Sequence, residues 1–339
     1  SQIFCAPGND GMIEATLVPI EETNVAALTD FALENQIDLT IVGPEMALVA
    51  GVVNSFNSKG LKVFGPTKEA ALIEGSKAFA KQMMSKYNIP TAVYKEFTEF
   101  EPAVEYLKTQ SMPIVIKADG LAAGKGVVIC QTLEEGIETL ESMLLYRQFD
   151  EASSKVVIEE FLEGEEFSLM AFVANELYNP MPIARDYKRA YDNDEGLNTG
   201  GMGNHSPHPL ILESDYEEAI KMVIGPMTKA MIAENIPFTG ILYAGLMKTS
   251  SGIKVIEFNA RFGDPETEVL LPRLETDLSE IMLSLLEGKE IECVWSDKPT
   301  VGVVLAAKGY PGNYNKGAII KGLDLLEDVD VCHMGTKLV

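Results

Sequence analysis

Short apolar runs alternate with stretches of helical periodicity over the first 74 residues of the chain. The runs Gln2–Ala6, Asp38–Val42 and Leu61–Phe64 each predict a β-strand, and each is followed by a turn that contains Gly and Pro. Apolar residues at helical spacing over Asn24–Asn35 and Leu48–Lys59 predict the helices between these strands. This order of elements predicts a doubly wound parallel sheet, which holds its ligands at the loops that follow the strands.

The pattern changes near Gly75, beyond which predicted strands outnumber predicted helices. The predicted helices are Lys77–Tyr87, Pro102–Thr109 and Leu133–Leu145. The predicted strands are Ile114–Lys117, Gly126–Cys130, Val156–Phe161, Phe167–Ala174, Ile241–Lys248, Lys254–Asn259 and Thr300–Ala307. The turn Thr249–Gly252 joins two of these strands as a hairpin. We therefore predict an α+β unit with a largely antiparallel sheet.

The charge of the chain narrows the classes of partner. Its 339 residues include 51 acidic and 27 basic side chains, which gives a formal net charge of −24. Such a surface repels nucleic acids and anionic membranes, and no apolar run approaches the roughly 20 residues of a membrane span. We therefore expect small-molecule partners, and neither nucleic acid nor a membrane. The scattered cysteines (Cys5, Cys130, Cys293 and Cys332) predict reduced thiols in the cytoplasm rather than disulfides or a zinc site.

A glycine-rich segment, Gly120–Gly126, lies between two predicted strands. It differs from a P-loop, because Gly126 stands where that motif has Lys and because a strand rather than a helix follows. A hairpin of this kind can hold phosphates with its main-chain N–H groups and Lys125, and an ordinary glycine-rich turn is the alternative. Lys117 ends a buried strand, and Lys77 begins a helix, where the helix dipole disfavours a cation. A phosphate beside both lysines would satisfy them, whereas two solvated lysines are the alternative.

An acidic run, Glu159–Glu166, follows directly on a predicted buried strand. Acidic runs are usually solvated surfaces, but Phe161 and Leu162 interrupt this one. Their main-chain groups suit the edge of an adenine, and the Phe161 ring suits the face of the base. A carboxylate a few residues further on, such as Glu166, would then reach the ribose hydroxyls.

The strongest local signal is the segment Lys254–Thr267. Because side chains alternate along a strand, Glu257, Asn259 and Arg261 share one face while apolar residues share the other. Glu257 and Asn259 offer two oxygen ligands of the kind that Mg²⁺ uses when it bridges phosphates. Arg261 follows on the same face, where it would neutralise anionic oxygens. Such groups are costly on a half-buried strand without a ligand, so we favour a functional role.

A second glycine-dense segment, Asn198–Gly203, lacks the spacing of a dinucleotide-binding loop. It follows the basic cluster Arg185–Arg189 in an otherwise acidic chain. We predict a loop that faces the substrate, with a simple surface loop as the alternative. His205 and His208 are interpreted as loop residues rather than catalytic bases.

Taken together and in this order, the lysine pair, the glycine-rich hairpin, the acidic hinge and the Glu-x-Asn strand resemble the ATP-grasp superfamily. Within it, the chain is similar to the glycinamide ribonucleotide synthetase family. The matching stretches are Ala6–Asn9, Val42–Glu45, Phe64–Thr67, Glu74–Lys81, Ile116–Gly126, Val157–Leu162, Asn198–Gly203, Phe258–Thr267 and Leu305–Gly312. They are specific jointly rather than singly, and they cover nearly the whole chain.

The resemblance implies three domains. Residues 1–74 correspond to a Rossmann-like N-terminal domain, whose first strand we expect to lie before Ser1. Residues 75–299 correspond to the ATP-grasp domain, with a mobile lid at about residues 113–160. Residues 300–339 correspond to the beginning of a β-rich C-terminal domain, the rest of which we expect beyond Val339.

The resemblance also implies a reaction, in which ATP drives the joining of glycine to 5-phosphoribosylamine through glycyl phosphate, in purine biosynthesis. The implied cofactors are ATP and Mg²⁺ or Mn²⁺. Activation of a carboxylate by ATP needs charge neutralisation around a phosphoryl group more than an acid or a base. The implied catalytic residues are Arg261 and Lys125, and the implied metal ligands are Glu257 and Asn259. The implied nucleotide-binding residues are Lys77, Lys117, Gly124, Gly126, Glu159, Glu160, Phe161, Leu162 and Glu166. The implied substrate-binding residues are Gly8, Asn9, Pro44, Glu45, Asp186, Lys188, Gly200, Gly201, Asp264, Pro265 and Glu266.

Two alternatives stay open. Another ATP-grasp ligase would join a different carboxylic acid to a different amine with the same machinery. A non-catalytic, ATP-binding regulatory domain would be expected to have lost Glu257 or Asn259, and both are present.

Overall fold

The computed structural model describes residues 2–121 and 126–339. Its N-terminal elements are β1 (Phe4–Cys5), β2 (Thr16–Leu17), α1 (Val25–Glu34), β3 (Thr40–Ile41), α2 (Glu45–Ala50), α3 (Val52–Ser58) and β4 (Val63–Phe64). β1 pairs with β2 and β3 pairs with β4, both in parallel, and the parallel pairing of β3 with β4 is as the sequence predicts. The two pairs are separate sheets, and the exposed strand β2 was not predicted.

The helix predicted over Leu48–Lys59 is wrong as a single element. The structure has α2 and α3 instead, and they meet at Gly51. Gly51 has a φ of 90°, a left-handed conformation that ends α2 and begins α3 and that glycine adopts at little cost.

In the part of the chain that the structure describes, the next elements are four α-helices and the four strands of an antiparallel sheet. They are α4 (Leu72–Gly75), α5 (Lys77–Lys86), β5 (Tyr94–Phe97), α6 (Phe100–Leu107), β6 (Ile114–Ala118), β7 (Val127–Cys130), α7 (Leu133–Leu140) and β8 (Val156–Glu160). The strand order is β5–β8–β6–β7, which we call the first sheet. A Cβ on Gly136 would lie 2.7 Å from Leu107 Cδ2, so glycine allows α7 to pack closely on α6. This unit has its own hydrophobic core, which includes Leu107, Ile116 and Ile158.

The remaining elements are β9 (Glu165–Ala174), β10 (Leu177–Pro180), β11 (Arg185–Tyr191), β12 (Glu195–Ser206), α8 (Glu213–Ala219), α9 (Gly225–Ala233), β13 (Thr239–Thr249), β14 (Gly252–Asn259), α10 (Thr267–Leu270), α11 (Leu278–Leu286) and β15 (Thr300–Val303). Strands β10–β9–β13–β14 form the second sheet, which is antiparallel throughout. The predicted hairpin is confirmed as β13 and β14.

The loop predicted at Asn198–Gly203 is wrong, because these residues belong to β12. β12 lies at the centre of a third antiparallel sheet, between β11 and β15. Its glycines and polar residues conceal the strand in the sequence, whereas hydrogen bonds to a neighbour on each side hold it extended. β15 is also shorter than predicted and ends at Val303.

One hydrophobic core joins the N-terminal elements to the second sheet. Leu48 and Phe56 belong to the same buried cluster as Phe167 and Leu246. A second cluster joins Phe64 of β4 to Phe172 of β9, with ring centroids 6.5 Å apart. The predicted boundary at residues 74 and 75 therefore crosses continuous packing, and it stays a prediction. Within the described residues, no helix is both long and apolar enough to cross a membrane.

We expect Phe172→Ala to lower the free energy of unfolding by about 3–5 kcal/mol, because it removes a fully buried ring from this shared core. Denaturant unfolding followed by Trp295 fluorescence and by far-UV circular dichroism measures the loss. Val93→Ala is the control, because the Val93 side chain is 64% exposed. A shared core predicts coincident transitions with both probes, and separate transitions would contradict it.

Candidate active site

The candidate site lies where the first sheet meets the second. Lys117 of β6 donates from Nζ to the main-chain oxygen of Ile256 in β14, at 3.0 Å. This contact brings Lys117 beside Glu257, as the sequence requires if both are to contact one ligand. Residues 161–164 connect β8 to β9 and so join the two sheets beside this cleft.

Lys117 also belongs to a buried group of charges. The Glu159 carboxylate contacts the ammonium of Lys117 through Oε1 and that of Lys81 through Oε2. All three side chains are at most 5% exposed. The sequence suggests a phosphate as the anion beside Lys117, and in the structure the Glu159 carboxylate is such an anion. The Glu159 side chain, which the sequence assigns to nucleotide binding, contacts these two lysines instead. Burial opposes its charge, but the two lysines hold the pKa of Glu159 below its ordinary value.

Lys77 begins α5, where a second carboxylate compensates the helix N-terminus. Asp119 accepts from the Ala78 N–H at 2.7 Å and from the Ser76 hydroxyl at 3.0 Å. Lys77 Nζ donates to the Gly120 carbonyl at 2.9 Å, so α5 and the start of the glycine-rich segment are joined. Burial lowers the pKa of Lys77, and Glu257 acts against this shift.

Glu257 is the point at which cations from several elements converge. Burial by itself raises the pKa of this carboxyl, but Lys188, Lys117, Lys77 and Arg261 together hold the pKa below its ordinary value. An ionised carboxylate among four cations indicates a site for a highly charged ligand.

Glu257 and Asn259 fit a divalent metal that takes its other ligands from phosphates and water. Glu257 lies opposite Gly245 of β13, which has no side chain to occupy the space. Among the described residues, no group of three or more His, Cys, Asp or Glu side chains could hold a metal by itself. Mg²⁺ commonly binds through one or two protein oxygens when a nucleotide supplies the rest, which matches this donor set.

Arg261 connects this strand to the N-terminal elements. Its Nη2 lies 3.1 Å from Glu74 Oε1, and its Nε lies 3.5 Å from Glu45 Oε2. Glu74 also accepts from the Ala260 N–H at 2.8 Å. Glu45 is the first residue of α2 and follows Pro44, so the structure brings the predicted residues Glu45 and Arg261 together.

Asp186 and Lys188 of β11 form another wall of the site. Lys188 Nζ lies 2.5 Å from Glu166 Oε1. Burial lowers the pKa of Lys188, but the carboxylates of Glu166 and Glu257 outweigh this effect and raise the pKa above its ordinary value. Burial, together with Glu266, raises the pKa of Asp186 to about 8. Asp186 Oδ1 is buried and has no hydrogen-bond partner among the described residues. A carboxyl of this kind is suited to receive a cationic group of a ligand.

β12 packs against the segment that follows β14. A Cβ on Gly201 would lie 2.3 Å from Pro265 Cδ and 2.8 Å from Asp186 Oδ1, so only glycine fits this position, where φ is 123°. The Gly200 N–H donates to the Tyr310 hydroxyl at 3.2 Å. The predicted residues Gly200, Gly201, Asp186 and Pro265 are thus neighbours.

Asp264 and Glu266 differ in accessibility. Asp264 as a whole residue is exposed, but its carboxyl group is partly buried. This burial and the nearby Glu266 carboxylate raise the pKa of Asp264. Glu266 is 2% exposed and accepts hydrogen bonds from Ser168 at 2.7 Å and from Tyr243 at 2.6 Å. The sequence predicts direct contact between Glu266 and a ligand, but this geometry disfavours it, because the buried carboxylate is held by Ser168 and Tyr243.

Asn9 and Gly8, which the sequence predicts at the site, make their contacts in other parts of the structure. The Asn9 amide donates to the carbonyls of His333 and Met334, each at 3.1 Å, and we find no hydrogen bond from it to the other site residues described. Gly8 has a φ of 71° and packs on Leu17. Gly126 accepts from the Ala118 N–H at 2.8 Å, whereas Gly124 and Lys125 lie outside the described residues.

Around the hinge, Glu160 is already paired. Its carboxylate lies 2.8 Å from Lys254 Nζ and accepts from the Val93 N–H at 3.1 Å. The main-chain groups of Phe161 and Leu162, by contrast, make no hydrogen bond to any residue that the structure describes. They are therefore available to a ligand.

Sequence reasoning missed three charged residues that hold the site in place, namely Lys81, Glu74 and Asp119. Lys81 lies one helical turn after Lys77 and so shares its face, which was an available signal. Nothing local distinguishes Glu74 or Asp119, because their partners come from distant parts of the chain.

The two antiparallel sheets, with Lys117 of the first in contact with the Glu-x-Asn strand of the second, define an ATP-grasp protein. Solved structures of this fold agree. The biotin carboxylase domain of 2-oxoglutarate carboxylase from Hydrogenobacter thermophilus has a TM-score of 0.69 at 16% identity, and it covers 88% of this chain and 68% of its own. N5-carboxyaminoimidazole ribonucleotide synthetase from Thermus thermophilus has a TM-score of 0.66 at 17% identity, and it covers 89% of this chain and 76% of its own.

The chain belongs to the phosphoribosylglycinamide synthetase family. Residues 75–267 match the ATP-grasp (A) domain of that family and residues 1–74 match its N domain. The phosphoribosylamine–glycine ligase of Halalkalibacterium halodurans is 55% identical over 99% of this chain and 79% of the relative. That of Escherichia coli O157:H7 is 50% identical over 99% and 80%. The crystal structure of the Thermotoga maritima ligase has a TM-score of 0.81 at 36% identity, covering 93% of this chain and 77% of its own. The family is one of enzymes that use ATP and a divalent metal on small-molecule substrates.

Because the pKa of Asp186 is about 8 in the folded protein, its contribution to stability depends on pH. The folded protein keeps a proton that the unfolded chain releases near pH 4, so this contribution decreases as pH rises toward 8. We expect Asp186→Asn to stabilise the empty protein more at pH 8 than at pH 5, as measured by urea unfolding. An equal change at both values would contradict the raised pKa.

Proposed function

We propose that the chain joins glycine to 5-phosphoribosylamine at the expense of ATP, giving glycinamide ribonucleotide, ADP and phosphate in purine biosynthesis. Its 55% identity to a ligase of that name supports this substrate pair. The observation at the site that carries the proposal is the ionised Glu257 among Lys77, Lys117, Lys188 and Arg261. Phosphoryl transfer from ATP requires this kind of charge arrangement more than an acid or a base.

ATP binds in the cleft between the first and second sheets. The main-chain groups of Phe161 and Leu162, which have no hydrogen-bond partner among the described residues, support an adenine at this position. Glu166, at the start of β9, binds the ribose. Lys77 and Lys117, both beside Glu257, bind the phosphates, because their elements approach the same strand. Lys125, Gly124 and Gly126 are assigned to the phosphates from the sequence, as the glycine-rich lid over them.

The metal is Mg²⁺ or Mn²⁺, held by Glu257 and Asn259. When bound, it supplies charge neutralisation for the β- and γ-phosphates. Oxygen-only donors support these hard cations over metals that prefer sulfur or imidazole.

The chemistry proceeds in two transfers. One carboxylate oxygen of glycine attacks the γ-phosphorus, and the bond to ADP breaks, which forms glycyl phosphate. The amine nitrogen of phosphoribosylamine then attacks the carbonyl carbon, phosphate leaves with that oxygen, and the nitrogen loses a proton. Asp186 receives the glycine ammonium, and Arg261 stabilises the oxygens of the transferred group.

The other substrate assignments rest on position. Pro44, Glu45, Lys188, Gly200, Gly201, Asp264 and Pro265 line the same region as Arg261 and Asp186. Glu266 acts from beneath through its field on Asp186 and Asp264. Gly8 and Asn9 are assigned to the ribonucleotide from the sequence alone.

We also infer a cytoplasmic location. All four cysteines lie among the described residues and are free thiols, which supports a reducing compartment.

We expect Glu257→Gln to lower kcat by about 100-fold or more while the protein stays folded, because it keeps the shape but removes the charge that holds the metal. A phosphate-release assay at varied Mg²⁺ measures the effect. The control is Glu163→Gln, an exposed carboxylate of the same acidic run as the hinge. Wild-type rates in the Glu257 variant at limiting Mg²⁺ would place the metal elsewhere.

A second prediction concerns the fate of oxygen. With glycine labelled by ¹⁸O in its carboxylate, we expect one labelled atom to appear in inorganic phosphate per turnover, because that oxygen bridges carbon and phosphorus in glycyl phosphate. Mass spectrometry of the phosphate measures it. Label in AMP, or confined to the amide product, would indicate adenylation or another route. Serine or alanine in place of glycine tests the alternative of a different amino acid.

A further inference from the structure

The buried charges Lys81, Glu159 and Lys117 do not cancel. Their side chains are 3%, 3% and 5% exposed, so water screens them little. Two ammonium groups and one carboxylate leave one net positive charge. Glu159 contacts each lysine through a different oxygen, and apart from Lys81, no described group approaches Oε2 as a hydrogen-bond partner.

Apart from Glu159, Lys81 contacts the segment that follows α5. It donates to the Thr91 hydroxyl at 2.8 Å, and its ammonium lies 5.6 Å from the centre of the Tyr94 ring. Thr91 in turn donates to the main-chain oxygen of Val255, on the strand that carries Glu257. Lys81 is therefore held at Oε2 of Glu159. Lys117 lies at Oε1 and also donates to the main chain of Ile256, beside Glu257.

A structural role alone explains a buried lysine poorly. Desolvating charged groups is costly, and replacing a whole buried ion pair by apolar residues of similar volume is often neutral or stabilising. Burial does lower the pKa of Lys81, but contact with Glu159 favours its charged form. A charged Lys81 in this buried position is explained if Lys117 must remain positive toward a ligand.

We propose that Lys81 is a positioning residue for nucleotide binding: it neutralises Glu159 from behind, so that Lys117 keeps a full positive charge toward the triphosphate. Without Lys81, Lys117 and Glu159 form a neutral pair with little attraction for phosphates. The inference rests on the proposed function, since it requires nucleotide at Lys117, and it concerns a residue that contacts neither substrate nor metal.

The test compares the binding of ADP with Mg²⁺ by isothermal titration calorimetry in charge-balanced variants. We expect Lys81→Met to weaken binding by about tenfold, because one charge of the group is lost in a poorly screened site. Adding Glu159→Gln to it removes the opposing charge and returns Lys117 to full charge, so the double variant should bind within about threefold of wild type. Lys81→Arg, which keeps the charge, should rescue binding as well. Lys86→Met is the matched control, because it removes an ion-paired but exposed lysine of the same helix.

Purely structural damage predicts the opposite pattern. If Lys81 only stabilises the fold, the double variant binds no better than Lys81→Met, and this result overturns the inference. Unchanged binding in folded Lys81→Met overturns it too. Should Lys81→Met fail to fold, the double variant Lys81→Gln with Glu159→Gln decides, because near-normal binding supports the inference and a tenfold loss contradicts it. Failure of the wild-type protein to bind ADP would instead contradict the proposed function.

Discussion

Like charges can be held close together in a protein interior only when opposite charges lie between them. The cleft of this protein gathers Lys77, Lys117, Lys188 and Arg261, which would repel one another and resist burial. Glu257 lies among them, and Glu159 compensates Lys117 from the other side. The remaining features of the site follow from this constraint, because each carboxylate must be delivered from a fixed position on a strand.

The two carboxylates come from different sheets, and this links the sheets electrostatically. Glu159 lies on β8 of the first sheet, whereas Glu257 lies on β14 of the second. Lys117 touches Glu159 and the main chain beside Glu257, so it joins the two sheets across the cleft. A triphosphate entering the cleft would find the cations already assembled, and little reorganisation would be needed at the moment of transfer.

Local patterns in the sequence predict the parts of the structure that depend on local forces. The continuous apolar runs of β6, β8 and β9 predict buried strands, and the composition of the turn between β13 and β14 predicts a hairpin. Alternation along β14 places Glu257 and Asn259 on one face. The break at Gly51 was missed, although a glycine inside the helical pattern was a local signal for it. β12 was missed, because its composition is loop-like and is outweighed by hydrogen bonds to the neighbouring strand β11 and to the distant strand β15. Glu74 was missed for the same reason, since only the folded arrangement supplies Arg261 as its partner. Lys81 was missed although its position one helical turn after Lys77 was a local signal.

The core that the N-terminal elements share with the second sheet has a consequence for biosynthesis of the protein. Leu48 and Phe56 leave the ribosome long before Phe167 and Leu246, with which they form one buried cluster. At about 5–20 residues per second, the nascent N-terminal segment waits roughly ten seconds or more for its packing partners. During that interval its apolar surface is open to chaperones or to other nascent chains. Because of the order of translation, the N-terminal segment needs chaperones during synthesis to keep it from aggregating. In the folded protein, Leu48 and Phe56 are buried.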